Sequence, residues 1–194
     1  VLMAMAGYLL GAIPFGIVVS KAMGLSDPRT VGSKNVGFTN VLRVSGKKAG
    51  ILTLLGDMGK GWIMGFSATQ MLDQEWMILV VALAPFLGHL FSPFLGFKGG
   101  KGVATALGSV LGVEPAIGFV LLLAWLGAVV MWRYSSGGAL TAFGLFPLIA
   151  SVARPTVEFV LFSVIVSGLI VFKHKGNIER LWNGTESKIG QKKS

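Results

Sequence analysis

The feature that most constrains this chain is a succession of apolar runs close in length to a bilayer crossing. Val1 to Met23, Ala49 to Met71, Trp76 to Phe97 (broken by Pro85 and Pro93), Pro115 to Trp132, Gly137 to Ala153 and Thr156 to Phe172 are each dominated by hydrophobic residues. A helix needs about 20 such residues to cross the hydrocarbon core. Charged residues make up 13% of the 194, hydrophobic ones 53%, and mean hydropathy is +0.74; an ordinary soluble domain is nearer about 25% charged. The expected fold is all-α, a polytopic integral membrane protein forming one domain over residues 1–194. The first run lacks a basic leader, so it reads as a span carrying Gly7, Gly11, Pro14 and Gly16 and not as a secretory signal. Val103 to Val113 is only 11 residues, too short for full thickness, and reads as a short buried helix.

Charge orders these segments. With the N-terminus outside, the inner side receives Lys21, the 24–48 loop, Lys98, Lys101, Arg133 and a tail with Lys173, Lys175, Arg180, Lys188, Lys192 and Lys193. The outer side then receives Asp73, Glu75, Glu114 and Glu158, with Arg154 its one cation. Cations gather on the cytoplasmic side of membrane proteins. The N-terminus is therefore expected outside and the C-terminus inside, with an odd number of crossings. Seven, the number expected here, result if Val103 to Val113 counts as one; five if that segment and one other are re-entrant. The net charge of +9 fits basic loops at anionic headgroups, not a nucleic-acid partner. Cysteine is absent, which removes thiol chemistry. Two histidines in separate segments make no metal site, and no cofactor is expected.

Three polar clusters stand out against this background. Phe97-Lys98-Gly99-Gly100-Lys101-Gly102 is a glycine-rich basic loop leading into the short helix at Val103. Its glycines permit a positive φ and a close approach of ligand to backbone. Successive N–H groups can converge on an anion, and the start of a helix adds its positive end. It is not a Walker A loop, which needs Ser or Thr where Gly102 stands. The 24–48 loop holds Gly32-Ser33-Lys34-Asn35-Val36-Gly37-Phe38-Thr39-Asn40 and then Arg43; its hydroxyl and amide groups suit phosphate or polyol oxygens. Arg43 offers a planar fork, although Ser and Asn there could equally cap a helix. His174 and Asn177, three residues apart at the end of the last run, face one way if the helix continues.

Asp57 and Lys60 lie inside an apolar run and share a helix face. Charges at that depth are functional candidates or a mutual ion pair. His89 reads as a hydrogen-bonded structural histidine or a base. No Ser-His-Asp arrangement with a nucleophile elbow is present. Basic, amide-rich clusters on one membrane face suit phosphate-bearing substrates meeting a lipid chain. A transporter for an organic phosphate, a lipid acyltransferase and a scaffold remain as alternatives at this point.

At these clusters the sequence resembles the acyl-phosphate:glycerol-3-phosphate acyltransferases of bacteria, the PlsY family. Gly32 through Arg43, with Gly46-Lys47-Lys48, Asp57 and Lys60-Gly61, is similar to the family's first motif. Gly88-His89 and Phe97 through Thr105 resemble the second; His174, Asn177-Ile178, Arg180-Leu181, Gly184 and Glu186 resemble the third. Lys34 and Phe38 stand where the family usually has small residues, and Ser92 where it commonly has proline. After Arg133-Tyr134 the family often shows two serines; Ser136 is present and Ala139 replaces the second. The resemblance implies an enzyme of the bacterial inner membrane, its active site facing the cytoplasm. It would move an acyl group from acyl phosphate to glycerol 3-phosphate, giving lysophosphatidate, the first step of phospholipid synthesis. It further implies His174, Lys101, Arg43 and Ser33 as catalytic residues. Asn35, Thr39, Asn40, Gly99, Gly100, Gly102, Ser136 and Asn177 would bind substrate, with Asp57 and Glu186 as supports. A monomer would suffice, and oligomeric state is left open.

Overall fold

Pro14 sets the first event in the fold. It has no N–H to continue a helical ladder, and in the computed structural model, which describes residues 1–190, the first span breaks there. Helix α1 (Leu2–Ala12) and helix α2 (Phe15–Ala22) meet at 46°. Side chains from elsewhere meet the carbonyls at the break. Ser92 Oγ donates to Ala12 O at 2.7 Å and Lys60 Nζ to Ile13 O at 2.8 Å. Among the described residues all regular structure is helical, as expected. Lys192 and Lys193, counted among the inner cations, lie outside the described residues.

The chain divides into two compact units, Val1–Pro115 and Ala116–Ser194. The first continues with α3 (Phe38–Ser45), α4 (Lys47–Met71), α5 (Glu75–Leu90), a 3-10 turn at Pro93–Leu95 and α6 (Val103–Val113). α3 lies inside the stretch read as a polar loop; at 8 residues it is too short to announce itself by periodicity. Pro85 does not interrupt α5, contrary to the expectation of a run broken there. Its backbone lies against α1 where a Cβ on Gly11 would stand, so neighbouring backbone supports the bend-prone position.

Glycine governs the packing of this unit. Gly61 and Gly65 of α4 face Gly108 and Gly112 of α6. A Cβ on Gly61 would strike the Thr105 carbonyl oxygen, and one on Gly108 the Met58 carbonyl oxygen. Cβ atoms on Gly65 and Gly112 would come within 2.6 Å of Ser109 O and Trp62 O. Two small-x3-small faces thus meet backbone to backbone, a packing mode suited to lipid, where the hydrophobic effect does not drive helices together. α1 and α5 use the same device through Gly11 and Gly88, the latter set against the Tyr8 carbonyl.

The second unit contains α7 (Pro115–Trp132), α8 (Ser135–Ala153), α9 (Val157–Lys173) and α10 (Lys175–Trp182). It packs with rings in place of glycines. Phe146 meets Phe143, Phe159 and Phe162 edge-to-face at 6.0–6.2 Å between centroids, the arrangement favoured by the ring quadrupole. Thr156 Oγ1 accepts from Phe159 N at 3.3 Å and caps α9. α9 does not continue straight through the third cluster, as the pairing of His174 with Asn177 assumed. The helix bends by 62° at His174 and restarts as α10.

Among the described residues three helices are long and apolar enough to cross a membrane, or up to five spans when each bent pair counts as one. The expected count of seven adds α4, which is 25 residues long but carries Lys47, Lys48, Asp57 and Lys60, and the 11-residue α6. At about 1.5 Å per residue α6 covers roughly half of the ~30 Å hydrocarbon core.

The α4–α6 seam yields a direct test. Gly61→Ala should destabilise the detergent-solubilised protein by about 1–3 kcal/mol through overpacking, seen as a lower unfolding temperature. Gly59→Ala, on the same helix but with open space around its Cβ, should leave that temperature unchanged or raise it. Equal behaviour of the two variants would show that the seam is not close-packed.

Candidate active site

Asn40 builds the first cluster. Its side chain is buried in the first turn of α3 and reaches back into the loop before it. Nδ2 donates to the carbonyls of Pro28 (2.9 Å), Asn35 (2.9 Å) and Val31 (3.2 Å), while Oδ1 accepts from Ser33 N at 2.8 Å. Both amide hydrogens are thus engaged by the loop's own backbone. The residue expected to touch substrate is a peg that shapes the loop. Asn35 Oδ1 accepts from Gly37 N at 2.8 Å. Gly32 and Lys34 take positive φ of 62° and 57°; the latter sits in the region that disfavours a side chain, which gives a physical reason for small residues at that position. Ser33 is exposed. Thr39 and Arg43 are half-buried and four apart on α3, so they share a face. Arg29 is held in a two-pronged pair with Asp27 at 2.6–3.1 Å.

The glycine-rich loop uses its amides differently from the expectation. Phe97 N donates to Ser92 O (2.8 Å), Lys98 N to Leu95 O (3.1 Å), Gly99 N to Leu90 O (3.2 Å) and Gly100 N to His89 O (3.1 Å). Four successive N–H groups therefore satisfy chain carbonyls at and just beyond the end of α5, which would otherwise lack helical partners, and do not converge on an empty point. A helix start with an adjacent lysine lies further along. Gly102, at φ 79°, opens α6, whose first-turn amides have no intrahelical acceptor. Lys101 stands half-buried beside them.

Beneath the loop lies a charged cluster inside the apolar interior. Lys60 Nζ is 2.9 Å from Asp57 Oδ1, 2.9 Å from His89 Nδ1 and 2.8 Å from Ile13 O. Asp57 Oδ1 is also 3.4 Å from His89 Nδ1. An ammonium only donates; His89 Nδ1 and Ile13 O lie in hydrogen-bond geometry with it, while Asp57 Oδ1 is paired with it by charge and has no hydrogen-bond partner. Read so, Nδ1 accepts from Lys60 and the ring proton is on Nε2. The expected ion pair of Asp57 with Lys60 is present; the participation of His89, 29 residues further on, carries no sequence signal.

In the second unit Glu186 is the organiser. Oε1 accepts from Ser136 Oγ and from Asn177 Nδ2, both at 2.6 Å, and Oε2 from Arg180 Nε at 2.7 Å. Burial works to raise this carboxyl, but the three hydrogen bonds and the Arg180 charge outweigh it and hold it below the usual carboxylate range. Ser136 and Asn177, expected at substrate, are brought together on this carboxylate. His174, buried at the α9–α10 bend, directs Nδ1 at Ile170 O, 2.8 Å away. A carbonyl only accepts, so Nδ1 carries the hydrogen and Nε2 is the acceptor of the neutral ring. Sequence reading missed the strap that closes this unit. Gly184, at φ 67°, ends α10 with Thr185 N on Arg180 O and Gly184 N on Leu181 O, a Schellman motif. The chain then returns to the α7–α8 turn: Ile189 N donates to Arg133 O at 2.7 Å, and Arg133 donates to Ile189 O at 3.1 Å. The available signal was Gly184 following an eight-residue helix.

The comparisons with known proteins agree with one another. The family model described as glycerol-3-phosphate acyltransferase matches residues 1–184. A glycerol-3-phosphate acyltransferase of Methylococcus capsulatus is 46% identical, covering 96% of this chain and 94% of its own. Relatives of the same name from Bordetella petrii (50% identical, 96% and 91% covered) and Aromatoleum aromaticum (45%, 100% and 98%) are similar over the same extent. Crystal structures of PlsY, an integral membrane glycerol 3-phosphate acyltransferase, superpose closely. The glycerol 3-phosphate form has a TM-score of 0.91 at 40% identity, and the lysophosphatidic acid form 0.89 at 39%, each covering 97% of this chain and 94% of the other. With matching motifs, matching fold and near-complete coverage, the chain belongs to the glycerol-3-phosphate acyltransferase family of integral membrane enzymes.

Proposed function

We propose that the protein transfers a long-chain acyl group from acyl phosphate to the 1-hydroxyl of sn-glycerol 3-phosphate. The glycerol oxygen forms an ester bond to the acyl carbon, the bond from that carbon to the phosphate oxygen breaks, and the hydroxyl proton ends on the released inorganic phosphate. The donor is already activated, so no covalent enzyme intermediate is needed, and catalysis rests on alignment and charge stabilisation. The observation that carries this reading is the placing of Lys101 and Gly102 at the opening of α6, on a loop braced against α5. A helix start with an adjacent cation suits a phosphate dianion. The glycerol 3-phosphate and lysophosphatidic acid forms of the PlsY neighbours support the acceptor and the product.

In this reading Lys101 and Arg43 neutralise phosphate charge. Ser33, Asn35 and Thr39 contact phosphate and glycerol oxygens, while Asn40 holds their loop in shape. Gly99 and Gly100 cap α5 and so deliver Lys101. His174 Nε2 orients the acceptor hydroxyl, and Asn177 and Ser136 take their places from Glu186. The site faces the cytoplasm of a bacterial inner membrane, with the N-terminus outside and the C-terminus inside, which leaves the acyl chain in lipid.

An acyl-transfer assay on purified, detergent-solubilised protein tests the donor. Labelled glycerol 3-phosphate should give lysophosphatidate with palmitoyl phosphate and none with palmitoyl-CoA. Product from the thioester would overturn the donor assignment. No product from either would return the organic-phosphate transporter, to be sought as counterflow in proteoliposomes. Lys101→Ala should insert normally and lower kcat by about 100-fold or more, the scale of a lost charge-stabilising donor; an unchanged rate would remove the lysine from the site. Glu186 supplies a pH test. Its folded pKa lies below the free value of about 4.3, so its stabilisation is present above that pH and is lost as pH falls through the folded value. Unfolding temperature should therefore fall at acid pH more steeply in the wild type than in Glu186→Gln.

A further inference from the structure

The charged cluster under the glycine-rich loop is unusual in where it sits. Asp57, Lys60 and His89 are 1%, 2% and 6% exposed, and they come from α4 and α5 to meet at the α1–α2 break. An isolated charge here would be costly. The cluster gathers around one ammonium, which Asp57 neutralises as an ion pair and which donates to His89 and the Ile13 carbonyl. Fixing one residue of α5 to a broken helix does not require a histidine, so the part of His89 that faces the other way is informative.

His89 touches the glycine-rich loop twice. Its carbonyl accepts the Gly100 amide at 3.1 Å. Its ring lies where a side chain on Gly100 would have to go: a Cβ there would collide with Nε2 and come within 3.0 Å of Cδ2 and 3.1 Å of Cε1. Gly99 is equally confined, with the His89 carbonyl in the place of its Cβ. The ring therefore lies between Lys60 and the loop: Nδ1 is fixed to the buried ammonium and the Nε2 edge supports Gly100, next to Lys101. Rotation of the ring away from Lys60 would leave Gly100 without its support, and loss of Lys60 would leave the ring without its anchor.

We propose that the Asp57–Lys60–His89 cluster is a positioning device that sets the height of the Gly99–Gly102 loop, and with it phosphate affinity, through the His89 ring. None of the three groups touches substrate in this scheme. The inference rests on the reading of that loop as the phosphate site.

The device predicts a signature that a merely structural cluster would not give. His89→Ala should raise the KM for glycerol 3-phosphate or for acyl phosphate by about tenfold or more, with kcat within about threefold of wild type. Lys60→Met should give the same split. The double variant should be little worse than either single one, because both act through one ring. Gly100→Ala should raise the same KM in the wild-type background but add little in His89→Ala, where the ring that its Cβ meets is gone. His89→Asn, whose Oδ1 can accept from Lys60, guards against loss of fold: its unfolding temperature should match wild type while its KM stays high. Protection of the solubilised protein against thermal unfolding by inorganic phosphate gives a readout that needs no acyl donor. Half-protection should need about tenfold more phosphate in His89→Ala. An unchanged KM and unchanged phosphate protection in His89→Ala would overturn the device, as would full additivity of Gly100→Ala with it. If the wild type forms no lysophosphatidate, the proposed reaction fails by itself, and the phosphate-protection comparison still decides the device.

Discussion

One buried ammonium holds the first unit in register. Lys60 brings a charge into an apolar interior, where its desolvation cost is several kcal/mol before any partner is found. The chain meets that cost with a carboxylate from α4 and with acceptors from α5 and from the Pro14 break. Such a cluster adds little net stability compared with hydrocarbon packing, but removing one member leaves the others uncompensated. Its effect is therefore on arrangement: of the ways three helices could slide past one another, the one that brings the carboxylate and the two acceptors to Nζ is selected. Ser92 and Tyr8 extend the same pinning, through Ala12 O and Phe91 O, at 2.7 and 2.6 Å.

The two units solve the packing problem by different means. In the first, glycines let backbones touch, so dispersion and dipolar contacts between main chains replace side-chain interdigitation. In the second, a cluster of phenylalanines fills space between α8 and α9, and one carboxylate gathers Ser136, Asn177 and Arg180. The difference follows composition: α4 and α6 carry glycine at four-residue intervals, while α9 carries β-branched and aromatic residues with a lone Gly168.

Hydropathy made most of the helices legible. Val103–Val113 and Pro115–Trp132 were readable to the residue because Gly102 and the Glu114-Pro115 step interrupt the apolar pattern sharply. α3 was hidden, since eight amphipathic residues inside a polar stretch give little periodic signal. Pro85 was misjudged because a proline's effect depends on what packs against it, and Gly11 is 74 positions away in the chain. The candidate site was legible as residue types but not as bonding. Sequence shows an amide at Asn40 and glycines at 99 and 100; it does not show that the amide and the two backbone N–H groups are already engaged by their own chain. The His89–Lys60 contact and the Ile189–Arg133 strap were invisible for the same reason, because contacts between distant segments leave no local pattern.

The reciprocal glycine contacts of α4 and α6 also bear on the cost of ligand capture. With the Thr105 carbonyl seated on Gly61 and the Met58 carbonyl on Gly108, neither helix can turn about its axis or ratchet by a residue without a steric collision. α6 is thereby a fixed post, and the loop that leads into it is tethered at its far end by that post and at its near end by the carbonyls closing α5. A segment of six residues held at both ends has few conformations left to surrender. If this loop holds phosphate as proposed, the anion would meet a receptor already in its final shape, and little of the interaction free energy would be diverted into ordering the chain.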